Sequence, residues 1–337
     1  MIIVLKPGTK QEEIDKVVEL IKEKGLKPVV FDGVERKVIH VLGDVRDETP
    51  NGIKSIDCVE NVVRILKPYK LASKEHHSQK TIVKVGDVSI GNSDFVVIAG
   101  PCSIESEEQV MEAAKILKEM GIKIMRASAF KPRTSPYSFQ GMGIEGLKIL
   151  KKVREETGML VETEVMDVRD VKIAAEHVDI LRVGARNMQN FDLLKEMGKI
   201  DKPVILKRGM CATVKEFIMA AEYILANGNK NVILCERGIR TFETAYRNTL
   251  DLSAVALLKK ETHLPVIVDP SHAAGNRDII PALSKASVAV GADGLLIEMH
   301  PNPEKAKSDG AQSLFPHQLA QLLGELRPIC NAMGKNL

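Results

Sequence analysis

Four residues of this chain have the chemistry to hold a metal ion together: Cys102 in GPCSIES, His272 in VDPSHAAG, and Glu298 and Asp309 at the two ends of EMHPNPEKAKSD. One thiolate, one imidazole and two carboxylates make a mixed soft and hard donor set. That set suits a borderline divalent ion such as Mn, Fe, Co or Zn better than Mg. Taken singly, each has a plainer reading, since a lone Cys is usually packed in a core and acidic groups are usually solvated. The four become a site only if the fold gathers them.

A second group of residues is cationic. Arg126, Arg186, Lys207 and Arg237 each closely follow an apolar run, and guanidinium forks are suited to bidentate capture of phosphate or carboxylate. The segment KPRTSPYSFQG adds Lys131, Arg133, Thr134 and Ser135, with Pro132 and Pro136 stiffening the backbone around them. Such a loop would hold a second anion.

The elements that must position these residues are eight short apolar runs alternating with helical patterns from about residue 94: FVVIAGP, KIMRAS, LVETEV, DILRVGA, PVILKRG, VILCERG, PVIVDPS and GLLIEMH. Continuous rather than alternating apolarity is expected where helices cover a parallel sheet. Eight such units over residues 94–337 match a (β/α)8 barrel, with an open doubly wound sheet as the alternative. Each run ends near a charged or reactive residue: Cys102, Arg126, Glu164, Arg186, Lys207, Arg237, Asp269 with His272, and Glu298 with His300. In this barrel the strand C-termini face the active site, and strands one and eight are neighbours. Cys102 would then lie beside Glu298 and Asp309.

Residues 1–68 read as βαββαβ, a ferredoxin-like module. Residues 69–93 read as a linker, YKLASKEHHSQK, followed by a hairpin turning at Gly86-Asp87; His76 and His77 are expected to be solvated there.

Composition narrows the function classes. The chain has 337 residues, 44% hydrophobic and 28% charged, which is ordinary for a globular protein with a sizeable core. A net charge of +3, no Trp and 4% aromatics leave no basic stripe with stacking platforms, so nucleic acid is not the expected partner. No window approaches a membrane span and MIIVLKPGTK lacks the character of a leader, so a cytoplasmic location is expected. Five cysteines without a CxxC pair argue against a disulfide framework or a zinc knuckle. GMGIEG matches GxGxxG but follows a long loop instead of a strand, so it is not a dinucleotide fingerprint.

Taken together, GPCSIES, KPRTSPYSFQG, GARN, LKRG, CERG, VDPSHAAG and IEMHPNPEKAKSDGAQSL closely resemble the 3-deoxy-D-arabino-heptulosonate 7-phosphate (DAHP) synthases, over residues 80 to 330. The resemblance implies a metal-dependent condensation of phosphoenolpyruvate with erythrose 4-phosphate, releasing phosphate, at the entry to the shikimate pathway. It places the metal ligands on Cys102, His272, Glu298 and Asp309. Arg126, Lys131, Glu164, Arg186, Lys207 and Arg237 would bind phosphoenolpyruvate, and Arg133, Thr134 and Ser135 the sugar phosphate. Lys131, His272 and Cys102 would be the catalytic group, with Asp269 and His300 behind them or facing substrate. The N-terminal module is similar to the ferredoxin-like extension of one subgroup, which implies inhibition by Tyr or Phe and a homotetramer. Two alternatives stand beside this reading. One is the related octulosonate 8-phosphate synthase, whose KANR-type loop differs from Lys131-Pro132-Arg133-Thr134; the other is a non-catalytic phosphometabolite sensor.

Overall fold

The apolar runs become strands because they are short, rich in Val and Ile, and bounded by turn or helix-start residues. The computed structural model describes residues 1–33, 36–43, 50–63 and 68–337, in two units, Met1–Lys70 and Leu71–Leu337.

In the first unit, β1 (Ile2–Leu5), α1 (Gln11–Glu23), β2 (Lys27–Asp32), β3 (Lys37–Leu42), α2 (Pro50–Lys54) and β4 (Val59–Val63) follow the order read from the sequence. The expected continuation of the last strand through residues 64–67 lies outside the described residues. The sheet order is β2-β3-β1-β4, with antiparallel pairs such as Ile3↔Ile39 and Ile3↔Val62. Helix α1 buries Ile14, Val17 and Ile21, spaced on one face, in a core with Ile3, Leu5, Ile39 and Val41.

The second unit begins with a hairpin, β5 (Val83–Val85) and β6 (Val88–Ile90), turning at Gly86-Asp87 as expected. Eight parallel strands follow: β7 (Val96–Gly100), β8 (Ile124–Arg126), β9 (Leu160–Val165), β10 (Ile180–Val183), β11 (Val204–Lys207), β12 (Val232–Glu236), β13 (Val266–Val268) and β14 (Gly294–Glu298). They form a closed barrel, sealed by the pair β14–β7 with Glu298 opposite Gly100. The helices after successive strands are α3 (Glu107–Glu119), α4 (Ile144–Thr157), α5 (Val171–His177), α6 (Phe191–Met197), α7 (Val214–Ala226), α8 (Leu252–Glu261), α10 (Ile280–Ala289) and α11 (Pro316–Ala332). A short additional helix, α9 (Pro270–Ala274), directly follows β13. No helix among the described residues is long and apolar enough to cross a membrane.

The barrel interior has two chemically distinct levels. Ile98, Ile124, Ile180, Ile205, Ile233, Ile267 and Leu296 pack together with Val83, Val85, Val88 and Ile90 of the hairpin, which plugs the N-terminal end. Strand side chains alternate between faces, so residues two positions apart point the same way. Two positions beyond the apolar layer stand Arg126, Arg182, Lys207, Asp269 and Glu298, all buried.

Residues 71–93 pack on the barrel instead of crossing open solvent. The Leu71 and Ala72 amides donate to the Glu222 carboxylate at 2.8 and 2.9 Å, and His263 Nε2 lies 2.6 Å from the Leu71 carbonyl. The expectation of a solvated histidine pair is corrected here. His76 is buried, and the His77 ring sits 4.4 Å from that of His263. The stretch looks like a linker in sequence because it docks through hydrogen bonds, which leave no apolar period.

Candidate active site

At the C-terminal ends of the strands, Lys131, Arg133, Thr134, Ser135, Glu164, Arg186, Lys207, Arg237, His272 and Asp309 line one cavity of about 260 Å³, with Arg247. Five of the expected anion-binding cations are therefore brought together. The loop carrying Arg133, Thr134 and Ser135 is closed at its base by Lys131 N donating to the Gln140 carbonyl (2.9 Å). It is pinned across the cavity by Arg133 Nη1 donating to Ser308 Oγ (2.6 Å).

Beside the cations lie the four residues expected to hold a metal. One ligand atom each from Cys102, Glu298 and Asp309 lies within 4.8 Å of the others. His272 Nε2 is 3.4 Å from Glu298 Oε1 and 3.9 Å from Asp309 Oδ2. Cys102 Sγ is 3.3 Å from Asp309 Oδ2 and 2.9 Å from Lys131 Nζ. Asp309 adopts φ 52°, the left-handed conformation found at no other non-glycine among the described residues. Such a conformation costs on the order of 1 kcal/mol and is held only where surroundings enforce it.

Asp269 explains how the imidazole is aimed. As N-cap of α9 it accepts from the His272 amide through Oδ1 (2.9 Å), and its Oδ2 lies 2.8 Å from His272 Nδ1 while also accepting from Lys207 Nζ. A carboxylate at Nδ1 fixes the proton there and leaves the Nε2 lone pair facing Glu298 and Asp309. Burial pulls the His272 pKa down to about 4 despite the opposing pull of Asp269, so the ring is neutral at pH 7. Burial, reinforced by Glu298, pushes the Cys102 thiol up to about 12. Burial would raise Glu298 and Asp309, but both lie below their ordinary values: a proton on His272, where it is present, works against theirs, and Arg126 and Lys131 at Glu298, with Lys131 and Arg247 at Asp309, favour the ionised forms. An electropositive environment thus keeps two carboxylates ionised beside a neutral imidazole.

One expectation changes in position, for Arg126, and the alternatives for His300 narrow. Arg126 is fully buried and does not line the cavity; its Nη1 pairs with Glu298 Oε1 at 2.7 Å and its Nη2 donates to the Cys102 carbonyl at 3.3 Å. It stands on the same level as Lys207, but its guanidinium is engaged by Glu298 and the Cys102 carbonyl and not turned to the cavity. His300 accepts from Asn302 N at Nδ1 (2.9 Å) and sits 3.7 Å from Glu105 through Nε2. It braces the last loop and is absent from the cavity lining.

Residues 71–331 match the profile of the DAHP synthetase I family, and residues 1–67 match the DAHP synthase ferredoxin-like domain. The chain belongs to the DAHP synthetase I family. Among DAHP synthase relatives, the phospho-2-dehydro-3-deoxyheptonate aldolase of Thermotoga maritima is 52% identical over 334 residues, 99% of each chain. The crystal structure of a Thermotoga maritima aldolase of that name, a DAHP synthase, superposes with a TM-score of 0.80 at 51% identity, covering 99% of this chain and 98% of that one. A 2-dehydro-3-deoxyphosphooctonate aldolase of Syntrophotalea carbinolica is 36% identical over 267 residues, 73% of this chain and 95% of its own.

Within this DAHP synthetase I barrel, sequence reasoning missed the roles of four residues at the site. Arg182 lies inside the barrel with Nε 2.9 Å from Glu162 Oε1 and Nη2 3.7 Å from Glu164 Oε2. Its signal was the two-residue spacing from inward-facing Ile180. Gly184 is what lets Glu164 reach the cavity, since a Cβ there would stand 2.0 Å from Glu164 Oε1. Arg247 and Gln312 come from loops with no strand-end signal, and only the folded chain brings them to Asp309 and Glu298.

Proposed function

We propose that this chain is a 3-deoxy-7-phosphoheptulonate synthase that condenses phosphoenolpyruvate with erythrose 4-phosphate and water, releasing phosphate, as the first step of the shikimate pathway. The observation that carries the reading is the cluster of Cys102, Glu298 and Asp309, with His272 Nε2 beside the two carboxylates, at a cavity walled by Lys131, Arg133, Arg186, Lys207 and Arg237. Full-length similarity to the Thermotoga maritima aldolase supports it.

The donor set fits a divalent metal. A thiol, a neutral imidazole presenting Nε2, and two ionised carboxylates, one on a left-handed residue, are the parts of a site for Mn, Fe, Co or Zn. A bound ion would act as a Lewis acid on the sugar aldehyde and would hold the Cys102 sulfur as thiolate.

The chain's own residues supply the rest. Lys207, Arg186 and Arg237, with Arg126 behind them, hold the carboxylate and phosphate of phosphoenolpyruvate, while Arg133, Thr134 and Ser135 hold the sugar phosphate. Held this way, the methylene carbon faces the aldehyde carbon. Carbon–carbon bond formation leaves positive charge at the enol carbon, which water quenches; the phosphohemiketal then loses phosphate. Fixed cations stabilise both anionic groups throughout without reorganising. Lys131 Nζ, beside Cys102 Sγ and on the cavity wall, is placed to give a proton to the new alkoxide. Glu164, ionised by Arg182 and Lys131 against the opposing effect of burial, orients the cations beside it.

Phosphate release from phosphoenolpyruvate on adding erythrose 4-phosphate tests the reading. Release with arabinose 5-phosphate instead would make the chain an octulosonate 8-phosphate synthase, and release with neither would leave a sensor. Chelation is expected to abolish turnover, with recovery on adding Mn to the parent but not to His272→Ala; full activity in a metal-free sample would refute the metal's role. The N-terminal module, on this proposal, regulates the barrel in response to Tyr or Phe within a cytoplasmic homotetramer.

A further inference from the structure

The two carboxylates of the metal site each use one oxygen toward the site and give the other to a common support. Glu298 Oε1 and Asp309 Oδ2 face His272 and Cys102. On the far side, Gln312 Nε2 donates to Glu298 Oε2 at 2.6 Å. Arg247 Nη1 donates to Gln312 Oε1 at 2.7 Å and lies 3.5 Å from Asp309 Oδ1. Arginine can only donate and an ionised carboxylate can only accept, so the amide between them has one permitted orientation.

The support is built into the backbone. Gln312 is 2% exposed and follows Asp309 by one 3-10 turn, so the residue that braces Glu298 is tied to the loop that presents Asp309. The Arg247 and Asn248 amides donate to the Ala274 and Ala273 carbonyls at 3.1 and 2.8 Å, at the end of the helix that carries His272. Gly275 leaves the room for this approach, because a Cβ there would stand 2.5 Å from Arg247 Cβ. One bridge thus couples three elements carrying ligands: β14, the loop of Asp309 and α9.

We infer that Arg247 and Gln312 are positioning residues that set the orientation of Glu298 and Asp309 and so the affinity and geometry of the bound divalent ion. The inference rests on the metal-site reading above. Outer supports of this kind typically change metal affinity about 10- to 100-fold when removed. Because the two act through one chain of contacts, their losses do not add.

The test is titration of the full-length, metal-free protein with Mn and Co, with the absorption of the Co-loaded form as a second readout. Gln312→Leu and Arg247→Met are each expected to weaken binding about 10- to 100-fold, and the double variant to be no weaker than the more affected single. The Co bands at saturation should shift in Gln312→Leu, which a merely structural loss would not produce. Where Gln312→Leu does not fold, the part-exposed Arg247→Met decides alone. Parent affinity and an unchanged Co spectrum in the folded variants, with binding lost in Cys102→Ala, would overturn the inference and leave the metal site standing. Parent affinity in Cys102→Ala would instead overturn the site itself.

Discussion

Asp269 touches both the amide and the ring of His272 and also accepts from Lys207, so one carboxylate links the proposed metal ligand to a cation proposed to bind phosphate. Asp269→Asn keeps the size but removes the charge that fixes the proton on Nδ1. Metal affinity is expected to drop about 10- to 100-fold, with a matching loss of turnover at limiting metal; unchanged Mn affinity by titration would show that the ring is held some other way. Lys131→Met should lower kcat by more than it raises KM for either substrate, because the ammonium is assigned to the alkoxide that forms during reaction. A rise in KM alone would assign Lys131 to ground-state binding.

At the scale of elements, the β5–β6 hairpin has no catalytic atom yet fills the barrel's floor. Ile90→Ala is expected to destabilise the barrel by about 2–5 kcal/mol in chemical denaturation, with kcat/KM unchanged at temperatures where the variant is folded. The docked segment before it carries a pH dependence. Burial holds His263 down to about 4 against an ordinary value near 6.5, outweighing its bond to the Leu71 carbonyl. The folded form therefore takes up this proton less readily than the unfolded chain. Stability from this group is complete above about 6.5, falls as pH drops toward about 4, and is flat below; the fall is on the order of 2–3 kcal/mol. Melting curves of the parent against His263→Gln should converge across that window, and parallel curves would exclude His263 as the source.

The same elements explain what could be read from the chain. Barrel strands were legible because apolar runs and their charged ends follow two rules together, burial on both faces and active residues at the C-terminal ends. The clustering of Cys102, Glu298 and Asp309 with His272 beside them was legible because these residues sit at those ends or just beyond. Arg247, Gln312 and the docking of His76 were not, since each depends on loops meeting across the barrel and leaves no period in the sequence. Arg126 was placed on the right strand, but its pairing with Glu298 was not legible, because a strand end alone does not say which neighbour its last inward side chain engages.

For the whole molecule, the proposed regulatory role of the N-terminal module predicts that a chain beginning at Leu71 keeps synthase activity and does not respond to Tyr or Phe. Inhibition surviving in the truncated barrel, measured as phosphate release with added Tyr or Phe, would move the regulatory site elsewhere. The hairpin floor also bears on how the protein is made. A ribosome delivers Val83 to Ile90 early, whereas the residues packed against them extend to Leu296 on the last strand. Until that strand emerges, a growing chain carries an apolar hairpin face and an open barrel floor at once, both of them surfaces on which nascent chains aggregate or engage chaperones. Slow or stalled translation at any point before β14 therefore leaves this floor incomplete.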